Sequence, residues 1–173
     1  MRALVVYESM FGNTALVAHE VAEGLAAHGE VELRSVAEAP VEPDETLDLV
    51  VVGGPTHAFS MSRPTTREDA RRQGAGAAAD GPGLREWLAG LHAGAHHPLV
   101  AAFDTRVTKV RRIPGSAARK ASKVVGSLGY SSAERPESFF VEDVDGPLAV
   151  GELERARAWG DRIGTHLEAA VTN

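Results

Sequence analysis

The 173-residue sequence contains no cysteine, which excludes disulfides, thiolate nucleophiles, iron–sulfur clusters and cysteine-bound zinc. Aromatic residues make up only 5% of the chain, and leucine, valine and alanine supply most of the apolar mass. No apolar run approaches the roughly 18 residues that a membrane-spanning helix needs. The N-terminal apolar run is also too short for a signal peptide. We therefore expect a cytoplasmic protein that does not act at a membrane.

Basic residues are fewer than acidic residues, and the formal net charge is −6. This balance argues against general binding to nucleic acid. Apolar residues still make up 43% of the sequence, which is enough to build a hydrophobic core. The length predicts one domain that spans residues 1–173.

Short apolar runs predict the strands of a buried sheet. Nearly continuous runs of apolar residues indicate strands that are covered on both faces, and they occupy Ala3–Tyr7, Leu47–Val52, Leu99–Phe103 and Ser138–Val141. The run Glu30–Val36 alternates apolar and polar residues, which indicates a less buried strand near an edge. Apolar residues at helical spacing predict helices over 13–28, 83–92, 116–128 and 151–171. This alternation predicts an α/β fold with a parallel sheet between two layers of helices.

The stretch between Gly54 and Pro82 is far longer than the roughly two to six residues of an ordinary strand-to-helix loop. Its Thr65-Thr66-Arg67-Glu68 run matches a capping box, which predicts a short helix capped by Thr65. We interpret residues 58–82 as a long insertion in the single domain. It would either fold over the ligand site or pair with another subunit.

Polar segments follow three predicted strands, at the edge where parallel sheets bind their ligands. The first segment, Glu8–Thr14, offers small polar side chains, a glycine and the start of a helix, and it has no lysine or arginine. Such a loop either caps the helix or binds a phosphate through neutral donors.

The run Ser9-Met10-Phe11-Gly12-Asn13-Thr14 resembles the FMN phosphate loop of the flavodoxin family, roughly Ser/Thr-x-Thr-Gly-x-Thr, with Phe11 in place of a threonine. Gly53-Gly54-Pro55-Thr56-His57 resembles the family's second loop and is similar to that of flavin-dependent quinone oxidoreductases of the same fold. The resemblance implies a flavodoxin-like three-layer sandwich with a five-stranded parallel sheet in the order 2-1-3-4-5. It also implies FMN as the cofactor and electron or hydride transfer as the function.

The resemblance assigns the FMN contacts to three segments. Residues 9–14 would hold the phosphate, whereas residues 55–59 and 104–106 would flank the isoalloxazine ring. The cofactor-binding candidates are Ser9, Met10, Phe11, Gly12, Asn13, Thr14, Pro55, Thr56, His57, Ala58, Phe59, Asp104, Thr105 and Arg106. His57 is also the catalytic candidate, as a hydrogen-bond donor to the flavin or to a substrate carbonyl, and Phe59 would stack on the ring. Each could equally serve the loop itself, with Phe59 pinning it to the core.

Two departures from the family pattern bear on what the protein transfers. Electron-carrying flavodoxins tend to have a glycine in the second loop, which lets one peptide flip and accept a hydrogen bond from reduced flavin. Residues 56–59 contain no glycine, so such a flip to positive φ would cost roughly 1 kcal/mol or more. We therefore expect one-electron chemistry to be less favoured than in an electron-carrying flavodoxin. In addition, seven of the eighteen basic residues fall within 106–123. They would attract NADPH or an acidic redox protein, or they would form an ordinary solvated helix face.

Three functions are compatible with these observations. An oxidoreductase would pass hydride from NAD(P)H to a small acceptor such as a quinone, and a flavodoxin-type carrier would pass electrons between larger proteins. The third is a flavin-free scaffold used for binding or regulation, which Phe11 in the phosphate loop would permit. The sequence predicts no metal site, because His92, His96 and His97 have no further ligands nearby. It leaves the oligomeric state open.

Overall fold

A computed structural model describes residues 1–42, 44–91 and 97–172, so that His92 and His96 lie outside the described residues. The strands are β1 (Arg2–Tyr7), β2 (Glu30–Ser35), β3 (Leu49–His57), β4 (Ser60–Met61), β5 (Leu99–Val107) and β6 (Glu137–Val141). The helices are α1 (Asn13–Leu25), α2 (Pro64–Arg72), α3 (Leu84–Gly90), α4 (Ala117–Ser127) and α5 (Glu152–Thr172). In the described part of the chain, no helix is long and apolar enough to span a membrane.

The sheet has the strand order β2-β1-β3-β5-β6, and these five strands are parallel. The predicted order 2-1-3-4-5 is therefore confirmed for the five parallel strands. β2 lies at the edge, and its residues alternate between exposed and half-buried, as the alternating sequence predicts. The short β4 was not predicted, and it pairs antiparallel with the end of β3.

Apolar side chains from alternate strand residues form a core on each face of the sheet. On one face α1 and α5 cover Val5, Val51 and neighbouring residues. On the other face α3 and α4 cover Val6, Val52 and their neighbours. The first core also contains an edge-to-face cluster in which the ring centroids of Phe103, Phe139 and Trp159 lie 6.0–6.1 Å apart. These two cores confirm the predicted layers of helices on both faces.

The strands β3 and β5 are longer than their apolar runs predict. Residues 53–57 and 104–107 continue the two strands, and β3 and β5 stay paired from Leu49↔Leu99 to Pro55↔Thr105. The prediction that this strand ends at Phe103, with residues 104–106 in a polar segment after it, is therefore wrong. Backbone hydrogen bonds to neighbouring strands extend β5 where the side chains are no longer uniformly apolar, because β6 pairs with it from Phe103 to Val107.

The segment between β3 and α3 contains β4, α2 and a 3₁₀ turn at Ala77–Asp80. The predicted short helix exists, but it begins at Pro64 and not after Thr65. Proline suits the first helical position because its missing N–H would have no partner there. The backbone N–H of Arg63 donates to the Thr66 hydroxyl at 2.8 Å, so Thr66 takes the position that the sequence pattern assigned to Glu68.

Candidate functional site

A cavity of about 300 Å³ opens at the carboxyl ends of β1, β3 and β5, where the sheet topology places a ligand site. Ten of the fourteen predicted cofactor residues line it: Met10, Phe11, Asn13, Thr14, Pro55, Thr56, His57, Ala58, Thr105 and Arg106. The other four do not. Ser9 and Gly12 line a neighbouring cavity on the β2 side of the first loop, and Phe59 and Asp104 lie elsewhere.

The first loop presents unpaired backbone donors to its surroundings. Gly12 has a φ of +91°, a conformation that an L-residue adopts only at a cost, and it directly precedes α1. Within the described residues, the N–H groups of residues 10–14 have no hydrogen-bond acceptor. The Ala15 N–H, in contrast, donates to the Ser9 hydroxyl at 3.1 Å. Consecutive free N–H groups at a helix N-terminus are suited to bind an anion such as a phosphate.

The first loop is fixed to the centre of the sheet by a buried hydrogen bond. The hydroxyl oxygens of Thr14 and Thr105 lie 2.7 Å apart, and both residues are buried. A second bond runs from the Asn13 side-chain amide to the Asp145 carbonyl at 3.0 Å. The first and third predicted segments are therefore joined directly, so that the free N–H groups have a defined position relative to the rest of the cavity.

His57 lies at the end of β3 and is half-buried in the cavity wall. Burial, with a smaller contribution from the positive charge of Arg67, lowers the pKa of His57 below its usual value. The imidazole is consequently neutral at neutral pH. In this form it donates one hydrogen bond and accepts another, but it carries no extra proton to release.

Arg106 and Asp104 have mainly structural partners. The Arg106 guanidinium donates to the Val110 carbonyl at 2.5 Å and to the Ile113 carbonyl at 3.0 Å, which holds the turn after β5. Its Nε is buried and has no partner among the described residues, although the residue lines the cavity. Asp104 is completely buried and accepts the Ala118 N–H of α4 at 2.8 Å, while burial raises the pKa of its carboxyl.

Phe59 is placed outside the cavity by a tight hairpin turn. Ala58 and Phe59 have φ values of +47° and +61°, and they connect the paired residues His57 and Ser60. Two positive φ values are typical of the two-residue turn that matches strand twist, where glycine or asparagine is usual. The segment thus has left-handed backbone at two positions although it contains no glycine, and the expectation about one-electron chemistry stays a prediction. The turn leaves Phe59 47% exposed on the far side of the hairpin.

The sequence analysis missed the part of the cavity wall that α2 supplies. Thr66, Asp69 and Ala70 line the cavity from this helix and Gln73 from directly after it, together with Val141 and Val144 near the end of β6. The α2 residues recur at intervals of three and four, which places them on one helix face. That spacing was available in the sequence, but the position of the helix over the sheet was not.

Helix α2 is anchored through a buried polar network next to the first loop. Glu8 accepts the Ser62 hydroxyl at 2.5 Å and the Leu84 N–H at 2.8 Å. Arg67 donates to that hydroxyl and to the Glu86 carboxylate, both at 3.0 Å. Burial raises the pKa of Glu8 despite these donors. The network ties α2 and the start of α3 to the residue that immediately precedes Ser9.

Comparisons with known proteins agree with this arrangement. Residues 5–79 match the flavodoxin family model. A flavodoxin from the domain Archaea superposes with a TM-score of 0.66 at 17% identity, over 97% of this chain and 99% of its own. Oxidised flavodoxin 2 from Bacillus cereus gives 0.66 at 16% identity, over 95% and 99% of the two chains.

Part of a larger protein is also similar. The flavodiiron core from Synechocystis superposes with a TM-score of 0.64 at 16% identity. The superposition includes 98% of this chain but only 36% of the flavodiiron chain. No curated protein sequence gives a significant match. The flavodoxin family model thus matches the part of the chain between residues 5 and 79, and the fold is shared with flavodoxins along nearly the whole chain.

Proposed function

We propose that this protein binds FMN in the cavity between the first loop and the ends of β3 and β5, and that it carries electrons between redox partners. The observation that carries the proposal is the set of free N–H groups at residues 10–14 beside this cavity. Neutral donors of this kind bind a phosphate without a lysine or arginine, and the loop has neither.

The remaining lining residues suit the rest of the same ligand. Residues 55–58 and Thr105 would flank the flavin ring, and α2 would cover one side of it with Thr66 and Gln73. Ser9 and Gly12 would act by shaping the loop, since they lie outside the cavity. Bound FMN would supply the redox chemistry, while the chain binds it, orients it and limits its contact with water.

The size of the cavity favours an electron carrier. About 300 Å³ is at the lower end of the usual range for ligand pockets, roughly 300–1,000 Å³. It accommodates one ligand and leaves little space for a second small molecule beside it. Electrons would therefore pass to and from partners that approach the outside of the site.

A hydride-transferring oxidoreductase is the second candidate, and His57 is the observation that favours it. Its neutral imidazole in the cavity wall could donate a hydrogen bond to the carbonyl of a quinone-like acceptor. The donor in this case would be NADH or NADPH.

The visible absorption spectrum of the purified protein, recorded before and after addition of FMN, tests these functions. Flavin bands that shift on binding and bleach with a reduced protein donor, but not with NADPH alone, would support the carrier. Bleaching by NADH or NADPH alone would support the oxidoreductase. If micromolar FMN gives no spectral shift, the proposal is wrong and the chain is a flavin-free scaffold.

A further inference from the structure

A second groove lies beside the FMN cavity, on the other side of the β3–β4 hairpin. It is lined by Phe59, Ser60, Arg63, Arg85, Gly115, Ser116, Arg119, Lys120 and Lys123. Ala58 lines the cavity, whereas Phe59 and Ser60 line the groove. The two sites are thus separated by one turn of the backbone, so that a molecule in the groove is adjacent to whatever the cavity holds.

The groove concentrates positive charge on a protein whose net charge is −6. Five basic side chains line it, and no acidic residue does. Within the described part of the chain, none of the five forms an ion pair with a carboxylate. Arg85 is instead fixed by neutral acceptors, the Ser60 hydroxyl and the Met61 and Ser62 carbonyls, at 3.0–3.1 Å. The groove therefore keeps its charge available to an external anion.

The start of α4 distinguishes this groove from a phosphate site. The Ala117 N–H donates to the Thr56 hydroxyl at 2.9 Å, and the Ala118 N–H donates to the Asp104 carboxylate at 2.8 Å. The Arg119 N–H donates to the Ser116 hydroxyl at 3.3 Å. The N–H groups of residues 117–119, the first three of α4, therefore have acceptors within the protein, in contrast to the free N–H groups of the first loop. Four of the five cationic side chains of the groove are exposed and Arg85 is half-buried, and such a spread of positive charge suits an extended acidic surface.

Phe59 adds an exposed aromatic side chain to the lining of this basic groove. It is 47% exposed although it is aromatic, and it stands at the tip of a turn with two positive φ values. Strained backbone of this kind is retained most often where function requires it. Aromatic and arginine side chains also dominate the binding energy of protein interfaces.

We propose that this basic groove is the docking surface for an acidic redox protein, with Phe59 as its apolar contact. The inference rests on the proposed function, since the partner would exchange electrons with FMN bound in the adjacent cavity. In each encounter the reduced partner loses one electron and the flavoprotein gains one. A stable complex buries about 1,200–2,000 Å² in total, so the groove would form the centre of a wider interface.

Isothermal titration calorimetry with the purified protein, without and with FMN, tests the docking surface directly. The acidic probe is an oxidised plant-type [2Fe–2S] ferredoxin, and the basic probe is cytochrome c. The test variant Lys120→Glu/Lys123→Glu reverses two exposed charges on α4. The matched control Arg135→Glu/Arg162→Glu changes the net charge equally at arginines that do not line the groove. Phe59→Ala tests the apolar contact, and FMN affinity is measured for every variant.

We expect ferredoxin to bind the wild type with an affinity that falls as ionic strength rises. The α4 variant should bind ferredoxin at least about tenfold more weakly than the wild type, and the control less than about twofold more weakly. Phe59→Ala weakens ferredoxin binding as well, and FMN affinity is unchanged in all of them. FMN binding without ferredoxin binding, or equal losses in the test and control variants, would overturn this inference alone. Binding of 2′,5′-ADP that the α4 variant abolishes, without ferredoxin binding, would overturn it in favour of a small phosphate ligand. Failure to bind FMN would overturn the proposed function instead.

Discussion

Gly12 holds a φ of +91° directly before α1, and an added Cβ would meet no atom within 4 Å. Gly12→Ala should therefore act through backbone strain alone, at roughly 1–2 kcal/mol for a left-handed alanine. We expect FMN to bind about tenfold more weakly, because relief of this strain re-aims the free N–H groups of the loop. Quenching of FMN fluorescence measures the change.

Gly126→Ala is the matched control for this substitution. Gly126 lies in α4, and an added Cβ there also meets open space, but no positive φ occurs. Alanine is favoured over glycine in a helix by up to about 1 kcal/mol. The control should thus leave FMN affinity unchanged and slightly raise thermal stability. Equal FMN affinities in the two variants would contradict the role assigned to Gly12.

His28 links stability to pH at the other end of α1. Its ring nitrogens lie 3.0 Å from the Asp161 carboxylate and 3.1 Å from that of Glu168. Hydrogen bonds to Asp161 and then to Glu168 raise the pKa of His28. A histidine whose folded pKa is raised stabilises the fold fully below its unfolded pKa of about 6.5, and this stabilisation is lost as the pH rises through the folded pKa.

The substitution His28→Gln tests this linkage. We expect it to lower the free energy of unfolding by about 1 kcal/mol near pH 6, and by progressively less toward pH 9. Urea unfolding across this range measures the difference, with His19→Gln as the control for loss of an exposed imidazole. If the difference in the free energy of unfolding between the wild type and His28→Gln grows with pH, the ion pairs of His28 do not stabilise the fold in the way proposed.

Among the elements, α2 is tied to the residues beside the cavity by a buried polar network with Arg67 at its centre. Arg67 is 8% exposed and connects Ser62 with Glu86, and Ser62 in turn donates to Glu8. Arg67→Ala would leave Glu8 buried without this nearby positive charge. We expect a loss of about 2 kcal/mol in the free energy of unfolding and weaker FMN binding, because α2 supplies one wall of the cavity.

Arg71→Ala on the same helix is the control. Arg71 is 50% exposed and pairs with Glu68 and Asp80 at the surface. Exposed ion pairs of this kind contribute about 0–1 kcal/mol, so the control should have little effect on either property. Thermal melts and FMN titrations of both variants separate the two outcomes. If Arg67→Ala and Arg71→Ala have the same melting temperature, the buried network does not anchor α2.

The elements also show which parts of the fold can be predicted from sequence patterns and which cannot. Apolar runs predict Ala3–Tyr7, which is β1 without its first residue, and the first half of β3, because a strand covered on both faces must be apolar. The ends of β3 and β5 are not predictable in this way, since Pro55 and Thr105 are held by pairing with neighbouring strands that are distant in sequence. The same holds for the groove, where Arg63 and Arg85 meet Lys120 only through the fold.

At the scale of the whole molecule, the first loop depends on how closely α1 and α5 approach each other. An added Cβ on Gly160 would lie 2.3 Å from the Val21 carbonyl oxygen, and one on Gly24 would lie 2.1 Å from the Arg157 carbonyl oxygen. Each contact is with the backbone of the opposite helix. Neither helix can therefore accommodate a methyl group without moving across the sheet.

Gly160→Ala tests whether this packing sets the position of the FMN site. The helices must separate, which should cost about 1–3 kcal/mol, more than the gain of up to about 1 kcal/mol that alanine brings to an isolated helix. Because α1 begins directly after the first loop, its displacement should also weaken FMN binding far from the substituted residue. Urea unfolding and FMN titration measure the two effects, with Gly126→Ala as the control. Lost stability with unchanged FMN affinity would mean that the local bonds of Asn13 and Thr14 position the loop independently of the helix packing.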